Sequence, residues 1–268
     1  MYQGKVVWIT GASSGIGEEL AYQLSGLGAI LILSARREEA LQKVRQQCTE
    51  PDRHHLLTLD LSQTDTLAEK VEQAIGMVGR IDILVNNGGV SQRGLCIETP
   101  LAIERALFEV DYFGTTALTK ALLLHFIENR HGHLVNIASV AGKVAPPFRT
   151  SYAGAKHALL GYMDSLRCEV DQYGIAVTNI CPGFVKTNVS KNALDAQGEP
   201  FARNDEDINN GMAVQDCVRK MVLAIQDLKK EVIIAEGLAL YAYHLRRLIP
   251  NTFLGIFQRV ANKRLKSL

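Results

Sequence analysis

Apolar runs rich in β-branched residues alternate with helix-period segments from one end of this chain to the other, and few folds satisfy that alternation. "KVVWIT" reads as a buried strand and "GIGEELAYQLSGLG" as the helix after it, stopped near Gly28. "AILILSA", "HHLLTLDL", "IDILVNN", "HLVNIAS", "AVTNICPG" and "EVIIA" read as further strands. Between them lie the helices "REEALQKVRQQC" and "DTLAEKVEQAIGMV", long helical stretches from Ala102 to Asn129 and from Thr150 to Tyr173, and a helix near "VQDCVRKMVLAIQDL". Strands without a polar face are buried on both sides, as in a parallel sheet covered by helices. Right-handed crossovers then predict an α/β, doubly wound, Rossmann-like sheet, mostly parallel, of about seven strands with helices on both faces.

No repeat, low-complexity segment or interdomain linker interrupts the pattern, so residues 1–268 are expected to form a single domain, a size at which α/β folds remain undivided. The polar, turn-rich stretch 186–211 breaks the rhythm and reads as a surface excursion near the C-terminal strand ends. A formal net charge of +1 gives no reason to expect nucleic acid as a partner. The five cysteines are widely spaced, odd in number and without a CxxC pair. Buried, reduced thiols in a cytoplasmic setting are therefore expected, with no metal site and no disulfide framework. The first apolar run starts within a few residues of Met1, without the pattern of a signal peptide. No apolar stretch reaches the length of about 18 residues that a membrane-spanning helix needs.

"TGASSGIG" joins the first strand to the first helix, with glycines at 11, 15 and 17. Glycine permits a tight turn and close backbone approach to a pyrophosphate, and the helix N-terminus behind it offers free N–H groups. Many βα turns carry a glycine for packing alone; the position after the first strand favours a dinucleotide site. Gly11, Ser13, Ser14, Gly15, Ile16 and Gly17 are its candidate contacts. A free ribose 2′-hydroxyl calls for an acid at the end of the second strand, a 2′-phosphate for arginine. The chain reads "LILSARREE", with no acid at the strand end and Arg36 and Arg37 directly after it. A solvated helix start is the plainer alternative, although cations are poorly placed at that end of the dipole. Guanidinium groups match phosphate, so NADP(H) is the expected cofactor.

"SYAGAKHAL" places Tyr152 and Lys156 four residues apart, on one face of a helix. Alone, that spacing fits an amphipathic helix with a snorkelling lysine as well as a phenol whose ionised form a fixed cation favours. Ser139 ends the strand "HLVNIAS", 13 residues before Tyr152 and 17 before Lys156. All three can face the crevice at the C-terminal strand ends.

With "TGASSGIG", "LDLS", "NNGG", Ser139, the Tyr–Lys pair and "CPGFVKT" in this order, the chain resembles the short-chain dehydrogenase/reductase family from Lys5 to about Ala235. "NNGGVSQRG" and the extended C-terminus look closest to the dehydrogenase/reductase member 7 and 11β-hydroxysteroid-dehydrogenase-like group. Enzymes of that group commonly carry an N-terminal membrane anchor, which this chain is expected to lack. The resemblance implies that Tyr152 is the general acid/base, that Lys156 assists it and holds the nicotinamide ribose, and that Ser139 hydrogen-bonds the substrate oxygen. It also implies that Asp60 and Leu61 border the adenine, and that Asn86, Asn87, Gly88 and Gly89 line the wall behind the cofactor. Pro182, Gly183, Val185 and Thr187 would border the nicotinamide amide and open 186–211 as a substrate lid. Asp60 capping a turn and Asn86 satisfying a strand end are the plainer alternatives.

Two departures stand out. The family's usual "NNAG" is "NNGG" here, and its usual helix asparagine, in an N-x-x-G context, is Asp111 in "FEVDYFGT". Asparagine there helps hold a water that links the lysine to solvent; aspartate is nearly isosteric but can carry charge and pair with Lys156. The implied activity is hydride transfer between NADP(H) and a carbonyl or secondary alcohol of an apolar substrate, in a homodimer or homotetramer. A 3-oxoacyl-thioester reductase and a cofactor-binding regulatory protein with vestigial chemistry are the rival readings. Residues 238–268 interleave apolar side chains with Arg246, Arg247, Arg259, Lys263, Arg264 and Lys266, and Pro250 splits them into two helices. They read either as a membrane-surface segment or, the favoured alternative, as packing over the pocket or against another subunit.

Overall fold

The computed structural model describes residues 2–203 and 206–266. Part of the expected lid (204–205), the last two residues, and the side chains of 206 and 264–266, hence two of the C-terminal cations, lie outside what is described. Seven parallel strands form one sheet: β1 (Val6–Thr10), β2 (Ile30–Ser34), β3 (His55–Leu56), β4 (Ile83–Asn86), β5 (Gly132–Ile137), β6 (Ile175–Pro182) and β7 (Glu231–Ile234). Their order is β3-β2-β1-β4-β5-β6-β7. The winding direction reverses between β1 and β4, and in such sheets the ligand crevice lies outside the strand ends at that reversal.

Both faces are apolar because consecutive strand residues point to opposite sides. Val7, Ile9, Val85, Val135 and Ile180 pack with Leu20 and Leu24 of α1 (Gly15–Gly26), Leu41 of α2 (Glu38–Gln47) and Met221 of the helix Val214–Gln226. Their neighbours Trp8, Ile32, Leu84 and Leu134 pack on the other side. There they meet Val71 of α3 (Leu67–Val78), Leu122 and Phe126 of the helix Thr115–Asn129, and Met163 of the helix Thr150–Val170. Trp8 is fully buried, and its indole N–H donates to Ser34 Oγ at 2.8 Å, so the largest core side chain leaves no polar atom unsatisfied.

Two elements differ from their sequence reading. "HHLLTLDL" pairs as a strand only at His55–Leu56; beyond it, Leu57 and Leu59 donate single backbone bonds to Leu33 and Ala35, the behaviour of an edge strand leaving the sheet. The stretch read as one helix from Ala102 to Asn129 is α4 (Leu101–Phe108), a π-helical turn over Glu109–Gly114, and α5 (Thr115–Asn129). Further on are α6 (Thr150–Val170), the four-residue α7 (Glu206–Asn209) and α8 (Val214–Gln226). Apart from α7, the described part of 186–211 is irregular, tied down by the isolated bridge Gln92–Leu194 and, at its ends, by Val185–Met212. The C-terminal helices are α9 (Gly237–Leu248) and α10 (Pro250–Lys266), with Pro250 at the first position of α10, where its missing N–H costs nothing.

Candidate active site

The glycine turn needs its glycines. Gly11 and Gly15 have φ of +64° and +60°, a region side chains disfavour. A Cβ on Gly17 would lie 2.3 Å from the Gly11 carbonyl oxygen, and one on Gly11 2.8 Å from Gly88 Cα. Thr10 Oγ1 accepts from the N–H groups of Asn87 and Gly88 at 3.0 and 2.9 Å. Asn87 Nδ2 donates to the carbonyls of Thr10 and Gly11 at 3.0 and 3.2 Å. The ends of β1 and β4 are thus stapled together at the winding reversal. Ser14 caps α1 with extended backbone but makes no side-chain cap bond, so no serine oxygen competes for the first-turn N–H groups beside Ser13, Gly15 and Ile16. This bare-backbone cradle fits a pyrophosphate.

Arg36 and Arg37 are exposed just beyond β2, and neither guanidinium makes a hydrogen bond or ion pair among the described residues; the Arg37 carbonyl accepts from the Leu41 N–H within the start of α2. Asp60 Oδ1 accepts from the Ser62 N–H and hydroxyl at 2.9 and 2.8 Å, the turn-capping alternative, while its second oxygen takes no bond among the described residues. Leu61 presses on two glycines: a Cβ on Gly88 would meet Leu61 Cδ1 at 2.7 Å, and one on Gly114 would meet the Leu61 carbonyl oxygen at 2.0 Å. That contact gives a steric reason for "NNGG". Asn86, nearly fully buried, donates to Thr119 Oγ1 at 3.0 Å; its side chain is directed toward α5 rather than toward the glycine turn.

The second half of the site centres on α6. Lys156 is buried, with its ammonium 5.7 Å from the centre of the half-buried Tyr152 ring. Asp111 is fully buried, and its Oδ2 lies 3.2 Å from Lys156 Nζ. No other group among the described residues bonds that oxygen, whereas Oδ1 accepts from the Val90 N–H at 2.7 Å. A Cβ on Gly89 would come within 3.0 Å of Asp111 Oδ1 and 3.2 Å of Lys156 Nζ, so Gly89 leaves the space the pair occupies. Burial pushes the Asp111 carboxyl up, against the pull of the Lys156 charge and the Val90 N–H. Burial alone would lower the Lys156 ammonium, but Asp111 and then Tyr152 more than offset it and hold it above the usual lysine range. Two isolated buried charges would be prohibitive; as a pair they are tolerated.

Ser139 follows β5 and heads a 3₁₀ turn, Val140–Gly142, that packs on α6: a Cβ on Gly142 would lie 2.9 Å from the Lys156 carbonyl oxygen. Ser139 Oγ accepts from the Ala141 N–H at 3.0 Å, which leaves its O–H free to donate. Pro182 ends β6, and the Gly183 N–H donates to the Ile234 carbonyl at 2.9 Å. Val185 is buried beside Met212, and Thr187 Cγ2 reaches within 3.3 Å of where a Gly15 Cβ would be, so the start of 186–211 lies over the glycine turn. Cys181 nearby is buried, which pushes its thiol up to about 12 and makes it a poor nucleophile.

Gln92 was not legible as part of this site. It is buried, its Oε1 accepts from the Ser151 N–H at 3.0 Å and its Nε2 donates to Thr99 Oγ1 at 3.2 Å. It thereby satisfies an orphan donor in the first turn of α6 and fixes the end of the helix that carries Tyr152. Its only sequence signal was its place in "NNGGVSQRG".

A doubly wound parallel sheet with a bare glycine turn at its reversal belongs to the dinucleotide-binding class of α/β proteins. The model of the short chain dehydrogenase family matches residues 5–198. Human dehydrogenase/reductase SDR family member 7 is 42% identical, over 98% of this chain and 79% of its own length. Member 7B from Xenopus laevis is 37% identical over 99% and 84%. The crystal structure of a short-chain dehydrogenase from Streptomyces avermitilis superposes with a TM-score of 0.82 at 29% identity, over 97% of each chain. The chain belongs to the short-chain dehydrogenase/reductase family of oxidoreductases.

Proposed function

We propose that this chain is an NADP(H)-dependent oxidoreductase acting on a carbonyl or secondary alcohol of an apolar small molecule. The observation that carries this reading is the buried Lys156 ammonium beside Tyr152 at the C-terminal ends of the sheet. The nicotinamide supplies the hydride when bound; the chain positions the reactants and moves the proton. In the reducing direction Tyr152 Oη donates a proton to the carbonyl oxygen, and the Lys156 charge stabilises the phenolate left behind. In the oxidising direction the phenolate takes the proton from the alcohol. Ser139 donates a hydrogen bond to the same oxygen and orients it.

The glycine turn would hold the pyrophosphate, and Asp60 and Leu61 would border the adenine. Pro182, Gly183, Val185 and Thr187 would lie along the nicotinamide. The preference for the 2′-phosphorylated cofactor rests on Arg36 and Arg37, exposed, unpaired among the described residues and unopposed by an acid at the end of β2. Family resemblance supports a homodimer or homotetramer, which light scattering reads directly. The five free thiols fit a reducing, cytoplasmic setting.

A thermal-shift comparison should show stronger stabilisation by NADPH than by NADH. Arg36→Ala should weaken NADPH by about 1.5–3 kcal/mol, the scale of a charged hydrogen bond, and leave NADH nearly unchanged. Equal losses would remove Arg36 from phosphate recognition. With the better cofactor, a panel of apolar ketones should turn over faster than 3-oxoacyl thioesters; the reverse order would favour a thioester reductase. Tyr152→Phe should then lower turnover at least about a hundredfold with cofactor affinity kept. Undiminished turnover would reject Tyr152 as the acid, and no turnover with any carbonyl would leave only a cofactor-binding protein.

A further inference from the structure

Helix α9 carries an apolar stripe that faces away from the rest of the chain. Leu238, Tyr241 and Leu248 are 87%, 67% and 76% exposed, and Leu245 is also exposed. Their spacing of three, four and three residues sets them on one side of the helix. Helix α10 is in contact with α9, and within it Phe253 is buried and stacks on Phe257 with ring centres 5.3 Å apart. It still leaves Leu254, Ile256 and Val260 exposed. So extended an apolar surface on two adjoining helices asks for something to cover it.

Charge identifies the cover. From Gly237 to the C-terminus the sequence holds Arg246, Arg247, Arg259, Lys263, Arg264 and Lys266, and no aspartate or glutamate. Since the whole chain is balanced to +1, the remainder is net acidic. Arg247, Arg259 and Lys263 are exposed, and Arg259 and Lys263 are four residues apart beside Val260, so cations flank the apolar ridge. A second copy of this surface would bring like charges face to face. No helix among the described residues is long and apolar enough to cross a membrane.

We propose that α9 and α10 form a docking surface for an anionic lipid bilayer, lying in its interface. Leu238, Tyr241, Leu245 and Leu248 of α9, with Ile256 and Val260 of α10, enter the boundary between headgroups and acyl chains, and the long basic side chains reach the lipid phosphates and carboxylates. The surface begins at the rim of the crevice: a Cβ on Gly183 would lie 3.6 Å from Ala239 Cβ of α9.

The test is flotation of the full chain with phosphatidylcholine vesicles, with and without phosphatidylserine. The chain should float only with the phosphatidylserine vesicles, and should be released near 1 M salt, where the screening length is about 3 Å. Arg247→Glu/Arg259→Glu/Lys263→Glu should weaken binding at least about tenfold. Leu238→Ser/Leu245→Ser/Leu248→Ser should do the same, with melting temperature and circular dichroism of both variants kept. The salt dependence of the unaltered chain tests the proposal even if a variant fails to fold. Equal flotation with both vesicle types, or no flotation with either, would overturn it. So would a dimer in light scattering that the serine variant dissociates while vesicles bind neither protein.

Discussion

Asp111 stands where the family resemblance leads one to expect an asparagine, and the structure gives its carboxyl a partner in Lys156. An asparagine amide in its place would present a dipole to Lys156; the carboxylate presents a charge at 3.2 Å. The titratable groups that act on the Lys156 ammonium are Asp111, Tyr152 and the thiol of Cys181. An ionised Asp111 holds the ammonium in its charged form and also cancels part of the positive field reaching the phenol. Asp111→Asn keeps the size, and the Val90 N–H can still donate to the amide oxygen. The expected outcome is that the rise of kcat/KM for alcohol oxidation with pH moves to lower pH in the variant, with turnover at neutral pH equal or higher. A merely structural role would lower turnover at every pH without moving the profile. Superimposable profiles would show that Asp111 exerts no electrostatic control over Tyr152 and Lys156.

At the scale of elements, the turn Glu109–Gly114 and the loop after β3 fit each other through backbone. The Leu61 carbonyl lies 2.0 Å from where a Gly114 Cβ would stand, and backbone cannot rotate aside as a side-chain tip can. Gly114→Ala should therefore cost about 1–3 kcal/mol, the range for forced overpacking, and weaken cofactor binding because Asp60 and Leu61 move with the loop. Gly161→Ala, at an exposed position of α6 with nothing described within 4 Å of the new Cβ, should instead stabilise by about 0.5–1 kcal/mol from helix propensity alone. Chemical denaturation of the two variants reads both signs; a neutral Gly114→Ala would show that the contact relaxes freely. The elements themselves were largely legible, because continuous β-branched runs announce buried parallel strands whatever their order. What escaped was set by contacts distant in sequence. The π turn leaves the apolar spacing of Ala102–Asn129 almost unchanged, so no periodicity marks it. The early end of β3 depends on its being an edge, and Asn86 turning to Thr119 depends on which helix covers that face. Tyr152, Lys156 and the glycine turn could be read because four-residue spacing and bare βα turns are local. That Asp111 reaches Lys156 required the packing of the π turn on α6.

On the scale of the whole molecule, the two ends of the sheet divide the work, and acid should attack the end without chemistry. At the N-terminal strand ends, Asp82 accepts from the Val6 N–H at 2.9 Å and pairs with Lys5 and Arg80 at 3.1 and 3.2 Å. Burial alone would raise this carboxyl, but the Val6 N–H and the two cations hold it below the usual range. Its stabilising effect is thus present above the unfolded value and lost only as pH falls through its lowered native value. His133, whose N–H donates to the Asp82 carbonyl, is buried in β5 with Nε2 2.8 Å from Thr178 Oγ1. Burial, and secondarily the neighbouring His131, lowers its imidazolium from 6.5 to about 4. The folded chain therefore binds fewer protons here than the unfolded one, and stability must fall as pH drops from 6.5 toward 4. The shift corresponds to about 3 kcal/mol at its full extent, a large share of an ordinary domain's margin. Urea unfolding of the native chain followed between pH 7 and pH 4 should show this loss, while His133→Gln should lose about 3 kcal/mol less over the same range. The variant starts lower at pH 7 if glutamine packs less well, so the slope and not the level carries the argument. Parallel slopes would show that the imidazole protonates without opening the sheet, and would move the source of acid sensitivity to Asp82, whose effect begins at lower pH.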